Sequence, residues 1–314
     1  ATTLNVAASG KTSLDLSNNS AATSIKVTGA GAVKLAADMA TVTSIDATGS
    51  SGGVNIGIVD GATLAITGGT GVDKVTLNTA SIAYDVDMGA GNDVVTLSAA
   101  LAATVAIDGG AGEDTLVINN ATATLLTDAI KDGVTGFETL SVNATTDTIA
   151  ANVLAFENLV LGASTAANIT GISSAMAGGI SVTGDQATSL IMALTSTVGT
   201  TDTYGLTLDH ATADTDIDIA NFQIAGAEVL NVVSNGTVTA GNQNSIEFGA
   251  ESTSLKTITI TGSSEFGLAM DGNNEAFTVA VTVDASGLTA ASTLNLTGNT
   301  TTETITGGTK VDTI

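Results

Sequence analysis

The stretch that decides the fold is ITGGTGVDKVTL at residues 66–77, in which glycines and one aspartate separate two runs of alternating apolar and polar residues. It returns as VDMGAGNDVVTL at 86–97 and as IDGGAGEDTLVI at 107–118. Strict alternation is typical of a half-buried β-strand, and a glycine-rich run is typical of a turn. Each copy therefore predicts a strand, a tight turn and a second strand.

The same kind of turn recurs at a nearly constant spacing through the first 120 residues. Its first position falls at Gly29, Gly49, Gly68, Met88 and Gly109, so that successive turns are 19 to 21 residues apart. A period near twenty, with a strand at the same phase of every repeat, is typical of coils that stack on one another. We therefore expect an all-β chain with little helix, in which residues 1–120 form a right-handed β-solenoid or β-roll.

A longer repeat is superimposed on this one. SIKVTGAGAVKLAADM at 24–39 resembles TITITGSSEFGLAMDG at 257–272, and ITGGTGVDKV at 66–75 resembles ITGGTKVDTI at 305–314. The two pairs are separated by similar distances, which predicts that residues 251–314 begin a second copy of the first module. Because the sequence stops inside that copy, we expect the chain to be a piece of a longer protein.

Between the two copies the pattern is less regular. Residues 121–165 read as a connector that contains strands and one short helix, and residues 166–250 read as a further β-rich segment. The helix is predicted for 121–135, because Leu125, Leu126 and Ile130 fall on one helical face.

The turns carry a metal-binding pattern, Gly-Gly-x-Gly-x-Asp-x-U-x, in which U is a large aliphatic residue. Residues 68–76 and 109–117 match it fully, and residues 88–96 lack only the first glycine. Calcium takes 6–8 oxygen ligands, glycines allow a short turn to direct successive carbonyls inward, and the aspartate supplies a carboxylate. We therefore expect several Ca²⁺ ions, one between the first and second turns and one between the second and third.

The predicted calcium ligands are the first four residues of each turn and its aspartate: Gly68, Gly69, Thr70, Gly71, Asp73, Met88, Gly89, Ala90, Gly91, Asp93, Gly109, Gly110, Ala111, Gly112 and Asp114. Further carboxylates near the turns or in an acidic cluster are weaker candidates: Asp87, Asp108, Glu138, Asp202, Asp209 and Asp214. The alternative is that the glycines only cap solenoid corners and that the acidic residues face water.

Composition limits the partners of the chain. It has 31 acidic and 7 basic side chains and a formal net charge of −24. The sequence contains no basic stripe that could neutralise phosphates, which argues against nucleic acid as a partner, whereas so much negative charge favours bound cations. The chain has no cysteine, and no apolar run reaches the length of about 18 residues that a membrane span needs.

Enzymatic function is not expected. His210 is the only histidine, and we expect it at the surface in a structural role rather than as a ligand. GSSGG at 49–53 formally matches the G-x-S-x-G motif, but that motif requires a strand-to-helix turn, and here a solenoid corner is predicted.

The run from ITGGTGVDKVTL through MGAGNDVVTLS and DGGAGEDTLVI to GFETLSV resembles the RTX region of Gram-negative surface-layer (S-layer) proteins. That resemblance implies a secreted, non-enzymatic structural protein, exported by a type I system. Such a protein folds with external calcium and assembles with copies of itself into a two-dimensional lattice on the cell surface. The resemblance also implies anchoring to lipopolysaccharide through a region that is not in this chain.

Two other functions remain open. The first is a calcium-stiffened stalk of an RTX adhesin or biofilm protein, and the second is the secretion domain of an exported protease or lipase. Adhesin stalks usually repeat near-identical domains of about a hundred residues, whereas this module is longer and has diverged between its copies. That difference favours the lattice protein.

Overall fold

The structure is a computed structural model. It describes residues 2–16, 21–36, 41–59, 63–78, 83–99, 101, 104–119, 130–143, 148–197, 201–210, 216–236, 243–249, 252, 254–270, 277, 279–295 and 304–313. The fold is a β-solenoid of about 11 turns, with 59% of residues in strands and 3% in helix. The expected all-β solenoid is confirmed. The described helical segments are a 3₁₀ turn at Ala151–Val153 and one helix, α1, at Ser174–Ala177.

The chain divides into two compact units. Unit 1 lies within Ala1–Asn120, Thr124–Ser141 and Val153–Phe156. Unit 2 lies within Ala121–Ala123, Val142–Asn152 and Glu157–Ile314.

In unit 1 each coil contributes two strands, one to each of two parallel sheets. The strands are β1 (Thr3–Ala7), β2 (Thr12–Asp15), β3 (Ser24–Gly29), β4 (Val33–Ala36), β5 (Ser44–Ser50), β6 (Val54–Val59), β7 (Thr63–Thr67), β8 (Lys74–Leu77), β9 (Ala83–Asp87), β10 (Val94–Leu97), β11 (Ala106–Asp108), β12 (Thr115–Asn119), β13 (Val134–Thr135) and β14 (Thr139–Asn143). The odd-numbered strands β1 to β13 form one sheet in chain order, and the even-numbered strands from β2 onward form the other.

The core of unit 1 consists of columns of aliphatic side chains, each contributed by the same position of successive coils. Val75, Val95 and Leu116 are paired in register across β8, β10 and β12, and each is at most 1% exposed. Side chains on a strand alternate between the two faces, so the period-two pattern of the sequence places one aliphatic set inside. This repeated register also brings successive turns into line, which is the feature that creates the candidate site.

Unit 2 is also a parallel two-sheet solenoid. Its strands are β15 (Thr148–Ala150), β16 (Asn158–Leu161), β17 (Ser164–Ile172), β18 (Ile180–Val182), β19 (Gln186–Leu194), β20 (Thr203–Asp209), β21 (Asp218–Ala225), β22 (Val229–Asn235), β23 (Asn244–Phe248), β24 (Thr257–Gly262), β25 (Phe266–Met270), β26 (Thr282–Leu288), β27 (Ser292–Asn295) and β28 (Thr304–Thr306). Odd- and even-numbered strands again follow chain order in separate sheets. Its core contains aromatic contacts, with the rings of Phe222 and Phe248 5.6 Å apart and those of Phe248 and Phe277 5.2 Å apart.

The two copies of the longer repeat share local structure. SIKVTG forms β3 and TITITG forms β24, and both strands end at a glycine with positive φ, 105° at Gly29 and 121° at Gly262. The copies differ in phase: β3 belongs to the odd-numbered series, whereas β24 belongs to the even-numbered one. The second copy is therefore shifted by half a coil, so that the repeated segment joins the other sheet. The sequence repeat alone does not reveal this shift.

Of the helix predicted for 121–135, residues 121–129 lie outside the described residues, and the described remainder is not helical, because 130–133 form a turn and 134–135 form β13. Of that segment, Ile130 is 1% exposed and begins a turn that leads into β13. In the part of the chain that the structure describes, no helix is long and apolar enough to cross a membrane.

Candidate metal centre

The three predicted calcium turns lie one above another on unit 1. Lys74 pairs with Val94, and Val94 pairs with Thr115, so the aspartates that precede these residues are also aligned. Asp73 is 2% exposed, and Asp93 and Asp114 are 0% exposed. The alternative that these aspartates are solvated turn residues is therefore wrong.

A hydrogen-bonded ladder joins these aspartates through their own backbone. The N–H of Asp73 donates to Oδ1 of Asp93 at 2.7 Å, and the N–H of Asp93 donates to Oδ1 of Asp114 at 2.7 Å. The N–H of Asp114 then donates to Oε2 of Glu138 at 2.7 Å. We call Asp73, Asp93, Asp114 and Glu138 the acidic column. Its spacing of one acidic residue per coil is what the repeated aspartate position of the sequence produces.

Asp73 ends the column on the side of the earlier coils, and both of its oxygens are occupied. The Val54 N–H donates to Oδ1 at 2.5 Å, and the Gly69 N–H of the same turn donates to Oδ2 at 2.8 Å. Charge-assisted bonds of this kind are stronger than those between neutral groups. Each aspartate therefore satisfies backbone N–H groups that the change from strand to turn would leave unpaired, and this role does not depend on any ion.

The second oxygen of the two inner aspartates has no protein partner. Asp93 Oδ2 and Asp114 Oδ2 are both buried, and neither makes a hydrogen bond. Burial of a carboxylate oxygen without compensation is costly, and buried charges in proteins are normally paired or bound to a metal. These two oxygens therefore fit a cation that binds within the column.

The electrostatics of the column agree with this arrangement. Burial, together with repulsion from the carboxylates of Asp73 and Asp114, raises the pKa of Asp93 to about 6, although the hydrogen bond from the Asp73 N–H acts in the opposite direction. Burial also raises the pKa of Asp73 and Asp114, and Glu138, Asp108 and Glu113 add repulsion at Asp114. A divalent cation binds favourably among stacked carboxylates that resist ionisation, because it neutralises their charge.

The glycines allow the turns to pack closely enough for backbone carbonyls to reach the neighbouring coil. A Cβ added to Gly91 would lie 2.6 Å from Gly71 O and 2.9 Å from Asp93 Oδ1, and Gly91 has φ of +144°. Gly112, with φ of +148°, likewise lies against Gly91 O. Carbonyl oxygens are thus directed between the turns, beside the carboxylates. The one departure from the motif, Met88, is accommodated because its side chain is 0% exposed in the core.

The third residue of each turn links the coils through its backbone. Thr70 N donates to Ser50 O at 3.0 Å, Ala90 N to Gly69 O at 2.9 Å, and Ala111 N to Gly89 O at 2.9 Å. The carbonyls of Gly69 and Gly89 therefore already accept a hydrogen bond. The predicted turn residues are brought together, but some of their carbonyls have a structural role that the motif did not indicate.

Of the weaker candidates in unit 1, Glu138 belongs to the acidic column, whereas Asp87 and Asp108 do not. Asp87 and Asp108 are exposed and pair with each other in the register of β9 and β11. Asp87 Oδ1 accepts from Gly89 N at 3.0 Å, and Asp108 Oδ1 accepts from Gly110 N at 3.2 Å. Their side chains stabilise the start of their own turns.

In unit 2, Asp202 takes part in a similar pair. Asp202 N donates to Oε2 of Glu228 at 2.9 Å, and Glu228 N donates back to Asp202 O at 3.0 Å. The same two bonds join Asp114 and Glu138, at 2.7 and 3.2 Å. Here Lys256 Nζ lies 3.9 Å from Glu228 Oε1. The glycine-aspartate motif does not include Glu228, but Glu228 directly precedes β22 just as Glu138 directly precedes β14, and this shared position is a signal in the sequence.

The other predicted acidic residues do not join this pair. Asp209 is exposed at the end of β20, and Asp214 lies outside the described residues. Asp312, which aligns with Asp73 in the repeated sequence, makes a similar contact: its Oδ1 accepts from Ser292 N at 3.0 Å and from Ser292 Oγ at 2.7 Å.

Within the described residues, no three His, Asp or Glu side chains form a group that could hold a metal ion. Any ion in the acidic column would consequently take most of its 6–8 oxygens from backbone carbonyls and water. Outside the column, His210 is 7% exposed, so the expectation of a surface position was wrong. Ser51 of the G-x-S-x-G match lies between strands β5 and β6, not in a strand-to-helix turn.

The chain matches no protein-family model, and no curated protein matches it.

Proposed function

We propose that the chain is a calcium-stiffened structural module of a secreted bacterial surface protein, which assembles with copies of itself into an S-layer lattice. The observation that carries this proposal is the acidic column, in which Asp93 Oδ2 and Asp114 Oδ2 are buried without a partner. Calcium bound there supplies two positive charges between coils. It would be held by Asp93, Asp114 and the carbonyls of the stacked glycine turns.

The residues of this chain prepare the site in three ways. The backbone ladder fixes each carboxylate one coil from the next, with N–H to carboxylate distances of 2.7 Å between aspartates. The glycine at position 91 permits close approach of the neighbouring carbonyl. Burial excludes water from the carboxylates and makes the ionised apo form unfavourable, so that a cation both neutralises and stabilises the solenoid.

A structural function also agrees with the shape of the parallel coils and with the composition. Each coil contacts only its neighbours, so stiffness accumulates along the solenoid as each interface is strengthened. A chain with 31 acidic and 7 basic side chains repels itself, and external calcium relieves that repulsion between copies as well as within one.

The test is negative-stain electron microscopy of the purified chain in millimolar calcium and in metal-free buffer, with circular dichroism on the same samples. The proposal expects ordered sheets and a cooperative β-fold with calcium, and loss of the sheets without it. A fold that needs calcium but forms only monomeric rods would favour the adhesin stalk. A fold and melting temperature indifferent to calcium would contradict the proposal.

A further inference from the structure

Three of the seven basic residues of the chain line one groove on the outside of unit 1. All seven are lysines, and Lys11, Lys34 and Lys74 are the three in the groove. All three are exposed, and the groove has a volume of about 360 Å³. Asn55 and Val72 also line it. A concentration of positive charge in so acidic a chain requires an explanation.

The solenoid register builds this row. Lys34 pairs with Asn55 between β4 and β6, and Asn55 pairs with Lys74 between β6 and β8. Adjacent strands lie about 4.8 Å apart, so the backbones of Lys34 and Lys74 are about 10 Å apart on one face. Their chain neighbours Val33 and Val75 are 2% and 1% exposed, which fixes the lysines outward.

Within the described residues, no ion pair neutralises these lysines. In the part of the chain that the structure describes, the ion pairs are Lys26–Asp46 at 2.8 Å and Lys256–Glu228 at 3.9 Å. Lys11, Lys34 and Lys74 have no ion pair there, although acidic residues outnumber basic ones by 31 to 7. A groove lined by one sign of charge concentrates the field and attracts the opposite charge.

An apolar side chain completes the surface. Val72 is 52% exposed, which is unusual for a large aliphatic residue in this structure, and it borders the same groove. Positive charge beside an exposed aliphatic side chain is suited to a protein surface that carries carboxylates, because both charge and apolar area can be buried together.

We propose that this lysine groove binds the carboxylate-rich surface of a second copy of the chain. A second copy is a suitable partner for the positively charged groove because a chain with a net charge of −24 is itself a polyanion. The two surfaces in contact would differ, so the contact is heterologous and can repeat from copy to copy to build an extended array. The inference rests on the proposed function, for which it supplies a contact surface.

The groove is also connected to the candidate metal centre. Val72 and Lys74 flank Asp73, whose carboxylate accepts from Val54 N at 2.5 Å and from Gly69 N at 2.8 Å. Because Asp73 N also donates to Oδ1 of Asp93, calcium held by Asp93 would order this turn and with it one wall of the groove. Assembly through the groove should consequently require calcium even where no ion bridges the two copies.

The experiment is sedimentation velocity of the full chain at low salt with millimolar calcium. The variant Lys34→Gln/Lys74→Gln removes two charges from the groove, and Lys131→Gln/Lys310→Gln removes two exposed lysines elsewhere. We expect the wild type and the control to associate, the groove variant to associate at least tenfold more weakly, and Lys34→Arg/Lys74→Arg to behave as the wild type. Raised salt should weaken association of the wild type.

Three results would overturn the inference: a wild type that stays monomeric, a groove variant that associates as well as the wild type, or equal weakening by the control. A monomeric wild type that binds an anionic polysaccharide such as dextran sulfate would assign the groove to a glycan instead. The calcium-dependent rise in melting temperature, measured on the same samples, distinguishes failure of the lysine-groove contact from failure of the proposed calcium-dependent function. If that rise is retained while assembly persists in the groove variant, only the groove assignment fails.

Discussion

The N–H of Asp93 donates to Oδ1 of Asp114, 21 residues later, at 2.7 Å, while Oδ2 of both aspartates is buried without a partner. One oxygen of each carboxylate thus holds the coils together, and the other remains for a cation. The two oxygens can be examined separately, because substitutions exist that remove one role and keep the other.

Asp93→Ala removes both roles and should lower stability the most. Loss of Oδ1 leaves the Asp73 N–H buried without an acceptor, which costs about 1–3 kcal/mol. Loss of the cation site removes about 2.7 kcal/mol more at a calcium concentration a hundredfold above Kd. Thermal melting in calcium checks this against Asp15→Ala, an exposed aspartate on β2. A variant that melts no lower than the Asp15 control would rule out the stacked site.

Asp93→Asn should have opposite effects with and without calcium. The amide oxygen can still accept from Asp73 N, and the buried negative charge disappears. Because burial and neighbouring carboxylates raise the pKa of Asp93 to about 6, its charge destabilises the metal-free fold near neutral pH. We expect Asp93→Asn to melt higher than the wild type in metal-free buffer and lower in saturating calcium. The same sign of change in both buffers would show that Asp93 does not bind the ion.

Calcium should also change the dependence of stability on pH. The pKa of Asp73, Asp93 and Asp114 is raised in the folded state, so the fold binds protons more tightly than the unfolded chain does. Without calcium, the free energy of unfolding should therefore rise as the pH falls from about 7 toward about 4. Calcium needs the ionised carboxylates, so the melting temperature gained from calcium should shrink over the same interval. Melting curves across this range with and without calcium provide the check, and a calcium gain that is constant with pH would contradict it.

Gly91→Ala tests the close packing of the turns. The added Cβ would lie 2.6 Å from Gly71 O at a φ of +144°, so we expect a loss of at least about 1–3 kcal/mol and weaker calcium binding. Gly10→Ala is a suitable control, because nothing lies within 4 Å of the added Cβ at that position. Denaturant unfolding of both variants measures the difference. Equal stability of the two variants would show that the turn relaxes without cost.

Much of the fold could be predicted because period is a local property of the sequence. The alternation around Val75, Val95 and Leu116 and the spacing of the turns predicted stacked parallel strands, and the structure confirms them. The phase of the second copy was not predictable, because SIKVTG and TITITG have the same pattern in either sheet of a two-sheet coil.

The sequence predicted the residues of the candidate site but not the hydrogen bonds between them. The motif identified Asp73, Asp93 and Asp114, yet the ladder from each backbone N–H to the next carboxylate depends on the exact register of adjacent coils. Asp87 and Asp108 illustrate the limit: they occupy a regular sequence position beside the turns but cap them from the exposed side. The lysine groove was not predicted from the sequence, because Lys11, Lys34 and Lys74 are distant in sequence and come together only when the coils stack.

The most direct test of the central claim is a crystal structure of the chain grown in calcium, with anomalous differences recorded to locate the ions. We predict calcium within about 2.3–2.6 Å of Asp93 Oδ2 and Asp114 Oδ2, with carbonyl oxygens of the glycine turns completing the coordination. Well-ordered turns at saturating calcium with no anomalous peak at these two oxygens would contradict the account.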